Sequence, residues 1–353
     1  MSYSLGNKLK ITVFGQSHSD FIGVTIDGLP YGYKPNTELI NEYLQRRSGL
    51  NDLSTCRREK DEVKFISGLL DGKTCGAPLT SIIENQDVKS KDYSKLKAVP
   101  RPSHADYVAN VKYLSNYDYR GGGQFSGRMT TPLCIAGAIA IDLLSQQGIT
   151  IKARIKSIKN VEDGLVSLTN EEPFTTADKF FPTIDEGKAE KMKEVILEAK
   201  SQGDSVGGKI ECFIYGMPIG VGEPNFDSLE SKISSYVFSI PAVKGIEFGN
   251  GFDATYLYGS ENNDDFYFDN DIVKTKTNNS GGINGGISNG MPIVFTTAIK
   301  PTPSIYKEQN SVNLNTKSNE TLIIEGRHDP CIVPRALPVI ECMTALAIYD
   351  LIK

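Results

Sequence analysis

The segment "TPLCIAGAIAIDLLSQQG", residues 131–148, decides the fold of this 353-residue chain. Asp142 is its one charged residue, so a helix formed here has almost no polar side that could face water. Such a helix has to be covered by other elements, and we predict that it lies in the core. Its longest apolar run, residues 134–144, is too short to span a bilayer. We therefore expect a soluble protein with no membrane contact.

The segments on either side of this helix do not alternate regularly between strand and helix. Apolar alternation predicts strands over residues 8–15, 22–30, 148–161, 204–222 and 291–301. Apolar spacing and the caps Asn36 and Asp227 predict helices over residues 36–49, 185–203, 226–241 and 333–353. Residues 62–87 predict two strands around a turn, while the polar residues 259–280 and the glycine-rich residues 278–290 are expected to be loops. This irregular order favours an α+β fold, formed as one domain over residues 1–353.

The composition excludes several classes of protein. The net charge of −5 gives no general attraction to nucleic acid, and the six scattered cysteines form no CxxC pair that would indicate disulfides or a metal site. The N-terminal residues lack a signal-peptide pattern, which indicates a cytoplasmic protein. Arginines nevertheless gather locally, which predicts pockets for small anions rather than surface ion pairs alone. These arginines are Arg46, Arg47, Arg57, Arg58, Arg101, Arg120, Arg128, Arg327 and Arg335.

The chain has only three histidines, and two of them lie in segments that suit acid–base chemistry. "FGQSHSD", residues 14–20, places His18 after a strand, where it can act as a general acid; the alternative is an ordinary turn with a partly exposed histidine. Neighbouring side chains on an extended chain point apart, so Ser17 and His18 are not expected to form a hydrolase pair. "RPSHADY", residues 101–107, places His104 on a loop or at a helix start, because Pro102 begins a turn.

Three further loops have residues that could hold an anion or a cofactor. "RGGGQFSGR", residues 120–128, offers backbone N–H groups before the core helix but lacks the ending of a Walker loop. Residues 279–305, "NSGGINGGISNGMPIVFTTAIKPTPSI", combine glycine pairs, hydroxyls and a lysine in a backbone cradle. "EGRHDPCIVPRALP", residues 325–338, keeps Asp329 ionised beside an arginine, available as a base. The alternatives are a flexible hairpin for the first loop and a structural ion-pair cluster for the last.

Together, and in this order, these segments resemble the chorismate synthase family over nearly the whole chain. The resemblance extends to "STCRREKDEVKFISGLLDGKTCGAPL", "GVGEPNFDSL" and "SIPAVKGIEFGNGF". It implies a β-α-β sandwich in which helices pack between antiparallel sheets, usually assembled as a homotetramer.

The same resemblance implies the activity. Members of the family convert 5-enolpyruvylshikimate 3-phosphate into chorismate by an anti-1,4-elimination of phosphate, a carbon–oxygen lyase reaction of the shikimate pathway to aromatic amino acids. The reaction has no net redox change, yet the family requires reduced flavin mononucleotide (FMN). Some members also reduce the flavin with NADPH, and nothing in this sequence decides whether this chain does. No metal is implied.

The resemblance also assigns roles to individual residues. His18 is expected to protonate the departing phosphate, His104 to sustain the protonation state of the reduced flavin, and Asp329 to work with flavin N5 in removing the ring proton. The expected proton relays are Ser17 and Ser126. The expected flavin contacts are Ser126, Ala242, Gly285, Lys300, Pro301, Thr302, Pro303, Ser304 and Arg327. The expected substrate contacts are Arg46, Arg47, Arg128 and Arg335.

The glycine loop departs from the family pattern GGGRSSARET, because this chain has GGGQFSGRMT. Gln124 and Phe125 thereby remove a cation and a hydroxyl near the expected flavin, and Gly127 and Met129 replace an alanine and a glutamate. We expect activity with weakened flavin binding. Two alternatives stay open: a flavin- or phospho-ligand-binding paralogue with reduced or lost turnover, and a metal-dependent hydrolase that a chelator would inhibit.

Overall fold

A computed structural model describes residues 3–49, 53, 61–85, 95–324 and 328–352 of the chain. Its α-helices are α1 (Thr37–Ser48), α2 (Asp106–Lys112), α3 (Thr130–Ser145), α4 (Glu186–Ser201), α5 (Leu229–Val237), α6 (Gly259–Asn262) and α7 (Val333–Ile352). Its strands are β1 (Ser4–Leu5), β2 (Lys10–Gly15), β3 (Phe21–Asp27), β4 (Lys64–Ser67), β5 (Leu69–Leu70), β6 (Lys73–Thr74), β7 (Leu79–Glu84), β8 (Thr150–Ile158), β9 (Val161–Glu162), β10 (Gly208–Tyr215), β11 (Val243–Phe248), β12 (Phe266–Asp269), β13 (Ile272–Thr275), β14 (Ile283–Asn284), β15 (Ile287–Ser288), β16 (Ile293–Ile299), β17 (Gln309–Asn313) and β18 (Ser318–Leu322).

Two five-stranded antiparallel sheets enclose a layer of helices. The first sheet has the order β1-β2-β3-β7-β4 and the second the order β11-β16-β10-β8-β9. Helix α3 packs on β2 and β3 of the first sheet, α7 packs on β8 and β10 of the second, and the two helices pack against each other. The predicted α+β sandwich with helices between antiparallel sheets is confirmed.

Helix α3 forms the centre of this layer, as its composition predicts. A helical window from Gly127 to Ser145 is long and apolar enough to cross a membrane, but 83% of it is buried inside the protein. The helix also approaches α7 very closely, because a Cβ on Gly137 would lie 2.2 Å from Cβ of Cys342. Only glycine permits this contact, so the prediction of a core helix is confirmed.

One cluster of buried apolar side chains runs through both sheets and the helices between them. It includes Ile22 and Val24 of the first sheet and Ile155 and Ile210 of the second, each fully buried. A core shared in this way supports a single domain over residues 1–353, which stays a prediction.

Most predicted elements match the structure within a few residues at each end, and three local predictions are wrong. Residues 259–280 are not a loop, because Phe266 to Asp269 pair with Ile272 to Thr275 around a turn in which Asn270 has a φ of 55°. Their many acidic and amide side chains hide the alternation in the sequence. Residues 278–290 contain the hairpin β14–β15. The cap of α5 is Ser228 rather than Asp227, since Oγ of Ser228 accepts from the Ser231 backbone N–H at 3.1 Å.

Candidate active site

A left-handed glycine loop lies between two histidines. Gly121, Gly122 and Gly123 have φ values of 56°, 82° and 53°, which favour glycine. A Cβ on Gly121 would lie 2.3 Å from Cε1 of His18, and one on Gly122 would lie 3.4 Å from Cε1 of His104. The absence of side chains here lets the backbone fill the space between the two imidazoles.

Ser17 and His18 meet this loop together. The added Cβ at Gly121 would be 2.7 Å from Oγ of Ser17 and 2.6 Å from Nδ1 of His18, so the prediction that the two side chains point apart is wrong. The reason is that residues 16–19 form a turn, in which Oγ of Ser19 accepts from the Gln16 backbone N–H at 2.9 Å. Oγ of Ser17 is fully buried and has no hydrogen-bond partner among the residues that the structure describes.

His104 belongs to a buried ion-pair cluster at the start of α2. Its Nδ1 lies 2.6 Å from Oδ1 of Asp106, whose carboxylate also accepts from Nε of Arg101 at 2.8 Å. Burial lowers the pKa of His104, against the opposing effect of Asp106. Burial alone would raise the pKa of Asp106, but the hydrogen bonds from Arg101 and His104 outweigh it and hold that pKa well below its usual range. The imidazole is therefore disposed to be neutral beside an ionised carboxylate.

Three buried or half-buried arginines gather beside the glycine loop. Nε of Arg47 donates to Oγ1 of Thr130, and its Nη2 donates to the Gly127 carbonyl, both at 2.9 Å. Nη1 of Arg128 contacts Asp61, which also faces Arg47 at 3.8 Å. Burial, together with the nearby cations Arg335 and Arg128, lowers the pKa of Arg47 to about 10. This cluster of Arg47, Arg128 and Arg335 is a place where an added anion is stabilised.

Arg335 connects this arginine cluster to the predicted base. Its Nε donates to the Arg47 carbonyl at 3.0 Å, and its Nη1 pairs with Asp329. Asp329 and its neighbour His328 line a small cavity together with Ser304 and Tyr306. The His328 ring also packs against that of Tyr306, with 5.4 Å between centroids.

Arg46 points elsewhere, although it is adjacent to Arg47 in α1. Its Nη1 forms an ion pair of 2.8 Å with Glu341 of α7, and its guanidinium lies 4.9 Å from the Tyr43 ring centroid. Burial would lower the pKa of Arg46, but the Glu341 carboxylate outweighs burial and raises it. The structure therefore places Arg46 in the helical layer and does not bring it to the arginine cluster.

The predicted flavin segment, residues 300–304, lies against the His104 cluster. Nζ of Lys300 donates to the Ser103 carbonyl at 2.8 Å, and its backbone N–H donates to the Ala242 carbonyl at 3.0 Å. Oγ of Ser304 accepts from Nη1 of Arg101 at 3.3 Å. Pro301 and Pro303 flank Thr302, whose buried Oγ1 has no hydrogen-bond partner within the described part of the chain.

One predicted flavin contact, Gly285, is not brought to this segment. Gly285 is at the tip of the β14–β15 hairpin, where the Gly286 carbonyl accepts from the backbone N–H of Leu229, the first residue of α5. Ala242 follows the other end of α5, and a nine-residue helix is about 14 Å long. Arg327 lies outside the described residues.

Ser126 lies between the His104 cluster and the arginine cluster. Ser126 is next to His104 across Gly122, since a Cβ there would lie 3.8 Å from Cβ of Ser126. Ser126 in turn caps the short turn that contains Arg128. From Arg128 the contacts continue through Asp61, Arg47 and Arg335 to Asp329. On the other side, Arg101 contacts both His104 and Ser304. These contacts connect the arginine cluster to Asp329 and the His104 cluster to Ser304, and Asp329 and Ser304 line the same small cavity.

Comparisons with known proteins agree on one family. The sequence profile of the family described as chorismate synthase matches residues 9–352. A chorismate synthase of Thermococcus kodakarensis is 44% identical over 345 residues, covering 98% of this chain and 96% of the relative. One of Lancefieldella parvula is 43% identical over 364 aligned positions, covering 99% and 96%. This chain belongs to the chorismate synthase family.

The fold gives the same answer. A crystal structure described as chorismate synthase superposes with a TM-score of 0.75 at 28% identity, covering 98% of this chain and 92% of that one. The predicted family and the predicted class, a lyase that acts on a phosphate-bearing substrate of aromatic biosynthesis, are confirmed by chorismate synthase family membership.

Sequence reasoning missed Asp61, Asn85 and Asp106, which hold the site of this chorismate synthase family member together, and it named Arg101 only as one of the clustered arginines. Asp61 bridges two arginines, Asn85 accepts from Nε of Arg128 at 3.1 Å, and Arg101 and Asp106 hold His104. Asp106 stands in the "RPSHADY" motif two residues after His104, and this spacing was the available signal. The sequence contains no comparable signal for Asp61 and Asn85, because they are separated from their partner Arg128 by 67 and 43 residues along the chain.

Proposed function

We propose that this chain converts 5-enolpyruvylshikimate 3-phosphate into chorismate and phosphate by anti-1,4-elimination. The observation that carries the proposal is the cluster of Arg47, Arg128 and Arg335 beside a glycine loop with one imidazole on each side. The substrate has a phosphate and two carboxylates, which clustered arginines bind strongly. The reaction breaks one carbon–oxygen bond, forms a carbon–carbon double bond and releases one proton, so it requires an anion site, an acid and a base.

The arginines would bind the anionic groups and stabilise the charge that develops on the leaving phosphate. Arg47 and Arg128 are fixed by hydrogen bonds to the Gly127 carbonyl and Asn85, and a preorganised donor needs no rearrangement when the charge moves. Arg46 and Arg327 remain further proposed substrate or cofactor contacts. For Arg46 the contact would require its ion pair with Glu341 to open.

His18 would donate the proton that the departing phosphate needs, with Ser17 as its relay. Both side chains lie next to Gly121. The buried hydroxyl of Ser17 can both donate and accept a proton. Asp329 would accept the ring proton, because its carboxylate pairs with Arg335 next to the proposed substrate site. Ser126 would relay protons next to His104.

The residues around His104 also fit reduced FMN. Lys300 supplies a cation, Thr302 and Ser304 supply hydroxyls, and Gly122 supplies a wall without a side chain. Ala242, Gly285, Pro301, Pro303, Ser126 and Arg327 complete the proposed contacts. Reduced FMN, when bound, supplies an electron-rich, basic ring to a reaction with no net redox change. His104 would hold or move a proton at its Nε2 beside that ring. NADPH-dependent reduction of the flavin remains open.

We also propose a homotetramer in the cytoplasm. Several highly exposed aromatic side chains within residues 252–268 support assembly, because exposed aromatic residues are enriched at protein interfaces. These side chains, each at least 68% exposed, are Phe252, Tyr256, Tyr258, Phe266 and Phe268. Light scattering after size exclusion should give four times the mass of one chain.

A second candidate is a binding paralogue with lost turnover, and the glycine loop favours it. Phe125, where the family has serine, packs against Tyr113 with 6.3 Å between ring centroids. Neither this ring nor the amide of Gln124 can replace the cation and hydroxyl of the family pattern.

An anaerobic assay separates the two candidates. We would mix the protein with dithionite-reduced FMN and 5-enolpyruvylshikimate 3-phosphate and follow chorismate absorbance and phosphate release together. Equal amounts of both products support the synthase. Binding of both ligands without either product supports the paralogue, and Gln124→Arg with Phe125→Ser should then restore turnover. Unchanged turnover with a chelator would remove the metal-dependent alternative.

A further inference from the structure

Four hydrogen bonds converge on the carboxylate of Asp106, the first residue of α2. Oδ2 accepts from the backbone N–H of Arg101 at 3.1 Å and from its Nε at 2.8 Å. Oδ1 lies 2.9 Å from Nη2 of Arg101 and 2.6 Å from Nδ1 of His104. Asp106 is 4% exposed, so water does not compete for these contacts.

These contacts leave one place for the proton on the neutral imidazole. The guanidinium of Arg101 has donors only, and a carboxylate with an arginine on both oxygens stays ionised and accepts only. The short contact between Asp106 and Nδ1 of His104 therefore requires the hydrogen to be on Nδ1. Nη2 of Arg101, 3.1 Å from the same nitrogen, adds no acceptor. The other ring nitrogen, Nε2, is left without that proton.

We propose that Asp106, held by Arg101, is a positioning residue that keeps the proton of His104 on Nδ1 and so presents Nε2 to the glycine loop. A Cβ on Gly122 would lie 3.5 Å from Nε2, which shows that this nitrogen faces the loop. The use of Nε2 during turnover rests on the proposed function, whereas the tautomer itself does not.

The surroundings of His104 make Asp106 its decisive partner. Within the described part of the chain, the charged groups that most affect the imidazole are the cations Arg101 and Lys300 and the carboxylate of Asp106. Arg101 also donates from Nη1 to Ser304 at 3.3 Å, so the same guanidinium orients the histidine and contacts the proposed flavin segment. Without the Asp106 carboxylate, two cations would remain next to the ring, and they disfavour its protonated form.

The tautomer can be measured directly in the ligand-free protein. Labelling with ¹⁵N-histidine gives three imidazoles, and His104→Gln identifies the signal of His104. Long-range ¹H–¹⁵N spectra above the titration range should show a protonated Nδ1 and an unprotonated Nε2. A wild-type spectrum with the proton on Nε2, or with an equal mixture, overturns the proposal without any variant having to fold.

Two variants separate positioning from simple structural support. Asp106→Asn should lose the single tautomer and titrate His104 at lower pH than wild type, because the carboxylate charge is gone, while Asp106→Glu should keep the tautomer. Asp118→Asn is the matched control, since Asp118 also holds an arginine, Arg120, through both oxygens but does not contact His104. An unchanged His104 signal in Asp106→Asn contradicts the proposal, as does the same change in Asp118→Asn.

Kinetics extend the test to turnover. If chorismate is formed, Asp106→Asn should lower kcat by about 10²-fold with little change in KM, the effect of losing a well-placed acid–base group. If wild type makes no chorismate but shows the Nδ1–H tautomer, the proposed function fails and the assignment of Asp106 stands.

Discussion

Two clusters of arginine and carboxylate in this molecule differ in their balance of charge. In the second sheet, Arg154 pairs with Asp163 and Glu211, and Lys156 also pairs with Glu211, so two cations face two carboxylates. Beside the glycine loop, three arginines of the described chain face two carboxylates, and burial together with repulsion from Arg335 and Arg128 lowers the pKa of Arg47. In the balanced cluster the charges neutralise one another within the fold, whereas the unbalanced cluster is the one that we propose to bind an anion from solution.

The largest effect is expected from breaking the balanced cluster. Arg154→Met leaves the buried Asp163 and Glu211 without their main partner, which should reduce the free energy of unfolding by about 3–5 kcal/mol. Urea titration followed by circular dichroism measures this loss. Lys64→Met, which removes an exposed ion pair with Glu84, should leave the unfolding curve where it is. If the unfolding curve of Arg154→Met coincides with that of the wild type, the cluster in the second sheet does not stabilise the fold.

Removing an arginine from the unbalanced cluster should instead cost activity. Arg47→Met is expected to lower kcat/KM about 10²–10³-fold, since a preorganised donor to the developing phosphate charge is lost. Its free energy of unfolding should change by no more than about 1 kcal/mol, because the lost hydrogen bonds to Thr130 and Gly127 are offset by relief of repulsion. Chorismate formation measures kcat/KM, and urea titration of the same preparation measures the free energy of unfolding. Full activity would remove Arg47 from the substrate site.

Inorganic phosphate, without substrate or flavin, should stabilise the folded protein through the unbalanced arginine cluster. With a dissociation constant of about 1 mM, 10 mM inorganic phosphate stabilises the folded state by about 1.4 kcal/mol. Differential scanning fluorimetry at constant ionic strength should show the rise in Tm for wild type and for Lys64→Met but not for Arg128→Met. An equal rise in all three proteins would place phosphate elsewhere.

The smallest expected effect is on the pH dependence of stability, and it comes from His104, which lies beside the glycine loop. Burial lowers the pKa of His104 in the folded state, so below about pH 6.5 the unfolded chain binds more protons and stability falls as pH falls. Between pH 7 and 5.5 this contributes at most about 1 kcal/mol of lost stability. Urea titrations at both pH values should show a smaller decline in His104→Gln. An equal decline would assign the pH dependence to other groups.

Sequence reasoning predicted the parts of this molecule that rest on local patterns. The burial of α3 follows from a composition with one charge. The placement of His18 and His104 in one site was implied by the family resemblance and not by either motif alone. The contacts of Asp61 could not be predicted, because they depend on how distant segments meet. The hairpin β12–β13 was missed because its acidic and amide residues are typical of loops, although cross-strand pairing stabilises them here.

The glycine loop also sets limits on how this site can change over evolutionary time. A side chain at Gly121 would collide with His18, and one at Gly123 would come within 2.0 Å of the Asp118 carbonyl, so the first half of the loop tolerates no mutation. Gly127 has ordinary backbone angles and no atom within 4 Å of an added Cβ. All four departures from the family pattern, from Gln124 to Met129, fall after the third glycine. The loop therefore has two parts. Substitutions are restricted at Gly121 and Gly123, next to the histidines, whereas residues 124–129 can change and so alter ligand affinity.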